Sequence, residues 1–265
     1  MRPSLPGLIF FLISSGALFA APPLRIAVSA GSDGLRTAEA WAALGDSYAE
    51  KTGEALEPLI SADSGEALQA LRTKTAEAAV LDTAVFLRNR KELRLLGIAE
   101  EFGSVRERFL LLVGENSIIH RPEDIRRARI VLAGPPGNLA WDYPLVWARP
   151  FGPFVAARNG PRAENGYEGV LKSIALDQAD AGFLPEGFLA SIRGTALLDR
   201  VRILAFTPAY PLAVLVVRKD LAPERVERAA ALMSLGSGVL KFSGIDPDTY
   251  SALDELTEAL DVDGP

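Results

Sequence analysis

The chain has 265 residues, of which 49% are apolar, with 28 basic and 34 acidic side chains, one histidine and no cysteine. A formal charge of −6 argues against nucleic acid or an anionic membrane surface as partner. Without cysteine there is no disulfide scaffold, thiolate metal site, cysteine nucleophile or lipidated N-terminal cysteine.

The first segment reads as an export signal. Arg2 supplies a positive start, residues 5–19 are nearly all apolar, and Ala17-Leu18-Phe19-Ala20-Ala21 closes the run with small residues. That order predicts a secretory signal over residues 1–20, cleaved near Ala20, and hence a periplasmic protein. The apolar run is shorter than the roughly 20 residues of a comfortable membrane span.

A strand is predicted at 24–28, then a small polar loop at 29–34 and a helix over 37–52. A second unit runs from a strand at 54–60 through loop 61–65 into a helix at 66–75, with Asp63 or Ser64 as its cap. The strand at 78–81 ends on Asp82-Thr83. Strand and helix in alternation imply a largely parallel sheet with both faces covered.

Residues 109–113 form a further strand, and 122–125 a turn or short helix. A second strand–helix series begins at 129–133, with a helix at 167–176 and strands near 181–184, 201–205 and 212–217. Helical segments close the chain at 223–235 and 247–260, while the Gly- and Pro-rich stretch 151–161 reads as loop. The order predicts two similar α/β lobes, with crossovers near 106–114 and 206–211. Lobe 1 would comprise 22–107 and 208–265, and lobe 2 would comprise 108–207.

Ligands of open parallel sheets bind at the carboxyl ends of the strands, near helix N-termini. Four loops qualify by position: 29–34, 62–65, 82–83 and 134–138. Each also reads as an ordinary turn, because Ser, Asp and Gly are what helix starts require. Chemistry has little material. His120 sits in a surface turn, and the carboxylate pair Glu100-Glu101 reads as solvated. No GxGxxG, P-loop or HExxH pattern occurs, so no catalytic group, metal or cofactor is expected. Trp141, Tyr143, Trp147, Phe151 and Phe154 crowd into fourteen residues. They fit either a lobe core or an aromatic side of the cleft mouth.

Several stretches carry a family resemblance. They are Leu24-Arg25-Ile26-Ala27-Val28, Ala67-Leu68-Gln69-Ala70-Leu71-Arg72, and Glu77-Ala78-Ala79-Val80-Leu81-Asp82. Further on come Gly166-Tyr167-Glu168-Gly169-Val170-Leu171-Lys172-Ser173-Ile174, Gln178-Ala179-Asp180-Ala181-Gly182, and Arg202 through Pro211 followed by Val216 through Leu221. In order and spacing the chain resembles the phosphate-, phosphite- and phosphonate-binding proteins of ABC transporters, over nearly the whole mature length.

The resemblance implies a type II periplasmic-binding fold, with a hinge-closing cleft between two α/β lobes. It implies a monomer that binds a small polar or anionic ligand without chemistry. The docking partner would be an ABC permease or a membrane sensor. The expected cleft residues are Ser29, Ser32, Ser64, Asp82 and Thr83 from lobe 1, and Asn138, Trp141 and Tyr167 from lobe 2, with Tyr210 at the return crossover. Two rivals stay open on the same fold: a sensory or accessory binding protein, and an enzyme.

The chain also departs from the family. Pro135 and Pro136 stand where a Ser/Thr pair usually holds the oxyanion, which removes two hydroxyls and two backbone donors. Tyr167 stands where a histidine is usual. Phosphate and simple phosphonates are therefore expected to bind poorly unless Arg149 or Arg158 replaces the missing donors.

Overall fold

The computed structural model describes residues 22–29, 38–151, 160–235 and 240–260. The signal segment, Ser32, Phe154 and Arg158 lie outside the described residues. In chain order, β1 (Leu24–Ser29), α1 (Ala38–Thr52), β2 (Leu56–Ser61), α2 (Ser64–Arg72), β3 (Ala78–Asp82), α3 (Thr83–Arg88) and β4 (Leu93–Ala99) come first. Next are β5 (Glu107–Gly114), β6 (Ile130–Ala133), α4 (Leu139–Ala148), β7 (Arg162–Glu164), α5 (Gly166–Ala175), β8 (Ala181–Pro185), α6 (Glu186–Ser191) and β9 (Val201–Tyr210). The chain ends with β10 (Ala213–Arg218), α7 (Pro223–Ala230), β11 (Phe242–Ser243) and α8 (Pro247–Ala259).

These strands form two sheets. One has the order β11-β4-β10-β3-β1-β2, the other β7-β6-β8-β5-β9. Each has a parallel side running to one edge (β3, β1 and β2; β8, β6 and β7) and an antiparallel side that begins at β10 in the first and β5 in the second, so the sheets are mixed where the alternation predicted largely parallel ones. Ile26 and Val131 therefore lie in different sheets, and the expectation of two α/β lobes holds.

Alternation along the first sheet assigns its two faces. Leu24, Ile26, Val28, Val80, Leu215 and Val217 point to one apolar cluster, and Ala27, Ala79, Leu81, Val214 and Val216 to the other. Helix α1 covers the first face with Trp41, Leu44 and Tyr48, a spacing of three and four residues that keeps them on one side. Burying Trp41 or Tyr48 is worth about 2–3 kcal/mol each, and Tyr48 Oη keeps a partner by donating to the Arg228 carbonyl at 3.2 Å.

The second lobe packs closely around a glycine. A Cβ at Gly182 in β8 would sit 2.8 Å from Val170 Cγ1 and 2.9 Å from the Val131 carbonyl. Absence of a side chain there lets α5 lie close on β6 and β8. Six elements escaped the sequence reading: α3, β4, α4, β7, α6 and β11. Helix α4 occupies part of the aromatic stretch, with Pro144 inside it.

The chain leaves the first sheet after Ala99, and it returns between Tyr210 and Ala213. Helix α8 lies against α4 and β9. Its Leu253 and Leu256 share a core with Tyr143 and Tyr210, whose rings meet edge-on at 4.9 Å.

Candidate functional site

The ends of β1 and β3 and the starts of α2, α4 and α5 converge on a cavity of about 630 Å³ between the two sheets. From the first lobe come Ser29, the 62–65 loop and Asp82; from the second come residues 133–140 and 165–168, with Phe188 and Ile192. This is where strands that share a direction deliver their carboxyl ends.

Two of the helix starts here are capped by side chains, while α5 starts at Asn165 without a side-chain cap. Asp63 accepts from Glu66 N at 2.9 Å, and the Glu66 carboxylate accepts from Ala62 N at 2.8 Å, so α2 begins in a reciprocal cap. Of the two caps that the sequence allowed, Asp63 fills the role. Ser64 instead turns its Oγ to accept from Asp82 N at 2.9 Å, tying α2 to the end of β3. Asn138 caps α4 by accepting from Trp141 N at 2.9 Å.

Asp82 joins the two lobes. Its Oδ1 accepts from Ala84 N at 2.8 Å and Val85 N at 3.4 Å, which caps α3. Both carboxylate oxygens also accept from Leu139 N, at 3.0 Å each, across the cavity at the start of α4. Burial pushes this carboxyl up to about 6, against the pull of its backbone donors. Arg88 reinforces the same seam, donating to the Gly137 carbonyl and to the Asp142 carboxylate.

A tight turn between β4 and β5 closes one side. Glu101 and Ser104 exchange backbone hydrogen bonds of 3.0 and 2.9 Å, with Phe102 at φ 53° and Gly103 at φ 80° between them. A phenylalanine in the left-handed region is strained. It is held because its ring packs on Tyr167 and Phe188 at centroid distances of 6.3 and 6.2 Å. Glu101, expected to be solvated, is only 2% exposed and lines the cavity.

Five of the nine expected residues meet at this cavity: Ser29, Ser64, Asp82, Asn138 and Tyr167. Three do not. Thr83 opens α3 and is fully buried, since the first turn of the helix rotates it away from the wall that Asp82 faces. Trp141 packs against the main apolar core. Tyr210 is 6% exposed, with its ring against Tyr143. Arg149 ends α4 on the exposed surface, off the cavity wall.

The aromatic cluster thus serves packing: Trp147 meets Phe151 and Phe183 edge-on, at 5.1 and 5.8 Å. The sequence reading missed Glu101, Glu168, Phe188 and Ile192, all on the wall. Among the described residues no metal-binding group of acids and histidines occurs, and no helix is long and apolar enough to cross a membrane.

No curated protein sequence matches the chain. Among solved structures, XAC2383 from Xanthomonas citri bound to ATP matches with a TM-score of 0.72 at 18% identity, over 90% of this chain and 97% of its own. A binding-protein component of an ABC phosphonate transporter from Pseudomonas aeruginosa matches at 0.67 and 16% identity, over 92% and 89%. PhnD1 from Prochlorococcus marinus, in complex with methylphosphonate, matches at 0.67 and 13% identity, over 90% and 98%. At these identities the likeness shows the two-lobed fold. The sequence profile of phosphonate-type periplasmic substrate-binding proteins of ABC transporters matches residues 26–256. Fold and profile agree over almost the whole described chain, which belongs to this family of ABC-transporter periplasmic substrate-binding proteins.

Proposed function

We propose that the chain is exported by residues 1–20, is cleaved near Ala20, and captures a small polar solute in the cavity for delivery to an ABC permease. Lobe 1 would be residues 22–107 with 208–265, and lobe 2 residues 108–207. Ser29, Ser64, Asp82, Asn138 and Tyr167 would touch the ligand. Binding proceeds as a monomer, without covalent chemistry and without a cofactor.

The observation that carries this reading is the seam at Asp82, where one side chain of the first lobe accepts a backbone donor of the second across the cavity. A pair of lobes linked by two crossovers and one such seam can open by hinge rotation and close on a solute. Closure removes the solute from water, and that is where a clamp of this kind gains its affinity.

Small-angle X-ray scattering of the purified mature chain, with and without hits from a thermal-shift screen of small solutes, tests it. A hit that raises the melting temperature and compacts the particle is expected. Turnover of the hit, or stabilisation with no compaction, would count against a passive clamp.

A further inference from the structure

The wall of the cavity carries four carboxylates, Asp63, Asp82, Glu101 and Glu168, and no lysine, arginine or histidine among the described residues. Glu101 lies deep and Asp82 is half-buried, whereas Asp63 and Glu168 are exposed at the rim, where Glu168 also pairs with Lys172. A site for a free anion needs donors or positive charge to replace the water it loses. Helix N-termini are the other means of holding an anion, and at α2 and α3 the chain has placed its own acids on them.

Four helices open on the cavity. Asp63 caps α2. Asp82 caps α3 and also takes the Leu139 N–H at the start of α4. Helix α5 carries Glu168 in its first turn. At α4 the Trp141 N–H is committed to Asn138, and Pro135 and Pro136, on the wall just before it, bring no backbone donor. At α2 and α3 an acid already occupies the anion-binding end, and there a second negative group is repelled; α5 has no side-chain cap, and the nearest charge to its start is the exposed Glu168.

One wall is aromatic. Tyr167 and Phe188 line the cavity with ring centroids 5.5 Å apart, backed by Phe102. Ring faces attract cations, most strongly where water is excluded. Carboxylates around an aromatic wall suit a positively charged nitrogen bearing alkyl groups.

We infer that this cleft takes a small organic ammonium ion, with Glu101 and Asp82 as its counter-charges and Tyr167 and Phe188 as its apolar wall. The inference rests on the solute-binding reading of the same cleft.

Calorimetric titration of the mature chain with choline and putrescine, against methylphosphonate and inorganic phosphate, tests it, with lobe closure followed in parallel by X-ray scattering. The expected result is that an ammonium probe binds and compacts the protein while neither anion does. Glu101→Gln should then weaken that probe by about tenfold or more, the loss expected when a desolvated charge partner is removed. Because Glu101→Gln could disturb the turn, Glu168→Gln at the exposed rim serves as the second variant. It should weaken the probe by about two- to fivefold and steepen no salt dependence. Tighter binding of methylphosphonate than of either ammonium, with compaction, would overturn the ligand class and leave the carrier reading standing. Binding of neither ammonium probe would also overturn it, and failure of every solute in the wider screen to compact the protein would remove the carrier reading as well.

Discussion

The two walls of the cavity are built on different principles. The first-lobe wall places its polar groups at strand ends and helix starts: Ser29 and Asp82 close β1 and β3, Asp63 and Ser64 open α2, and both acids cap helices. The second-lobe wall is stiff and largely apolar. It combines Pro135, Pro136, Tyr167, Phe188 and Ile192. Asp82 is the side chain whose oxygens reach across to Leu139 N. A clamp made this way orients the polar end of a solute from one side and shapes the rest from the other. Rigidity of the second wall and ionisation in the first therefore become separable properties.

The largest effect is expected behind the second wall. Replacing Gly182 by Val puts carbon 2.8 Å from Val170 Cγ1 and 2.9 Å from the Val131 carbonyl, and the carbonyl cannot yield as a flexible side chain could. Overpacking of this kind costs about 3 kcal/mol. It should lift α5, and Tyr167 with it, off β8. Urea denaturation monitored by circular dichroism gives the number, and an unchanged midpoint would mean the second wall is softer than its packing implies.

The first wall is tested through Asp82. Asp82→Ala leaves the Ala84 and Leu139 N–H groups without their acceptor, at a cost of about 2 kcal/mol. Burial raises this carboxyl from 3.8 to about 6, so the folded state favours its neutral form. The stabilising contribution is complete below about pH 4 and is lost as pH rises through about 6. Asp82→Asn, which cannot ionise, should accordingly gain on the parent chain between those values, by up to about 3 kcal/mol. Stability curves of the two proteins that run parallel from pH 4 to 7 would refute the assignment.

The first wall was also the more legible in the sequence. Apolar runs at β1 and β3, each followed by small or acidic residues, place Ser29 and Asp82 at strand ends. Asp63 announces the start of α2 through Glu66 three residues later. The second wall hid for physical reasons. Helix α4 is apolar but for Asp142 and holds Pro144, so no amphipathic stripe marks it. Thr83 follows Asp82 directly, yet a helical turn rotates it inward, and adjacency in sequence says nothing about that rotation. Tyr210 stands next to the return crossover, but α8, nearly forty residues later, supplies the core that buries it beside Tyr143. Glu101 lies in Glu100-Glu101-Phe102-Gly103, whose carboxylate pair reads as solvated. Only a phenylalanine at φ 53° turns it inward, and no residue pattern signals that conformation.

That same turn joins the walls, and it carries the smallest predicted effect. Phe102 contributes two opposed terms. Its ring fills the space beside Tyr167 and Phe188 and above Gly187, where an added Cβ would come within 2.5 Å of Phe102 Cβ. Its backbone, at φ 53°, adopts a conformation that side chains with a Cβ disfavour. Phe102→Ala removes the ring and keeps the strain, whereas Phe102→Gly removes both, at the price of a more flexible unfolded chain. Both variants should be less stable than the parent, because lost aromatic packing outweighs the relief of one strained residue. Between the two, relief of a left-handed φ favours glycine by about 1 kcal/mol, reduced by a few tenths for the entropy that glycine adds to the unfolded state. Paired thermal melts of the two variants measure that difference directly, since the ring is absent from both. Glycine melting higher than alanine places backbone strain in the turn that aims Glu101 at the cavity; alanine melting higher means that the turn relaxes once the ring is gone, and that the aromatic wall itself holds Glu101 in place.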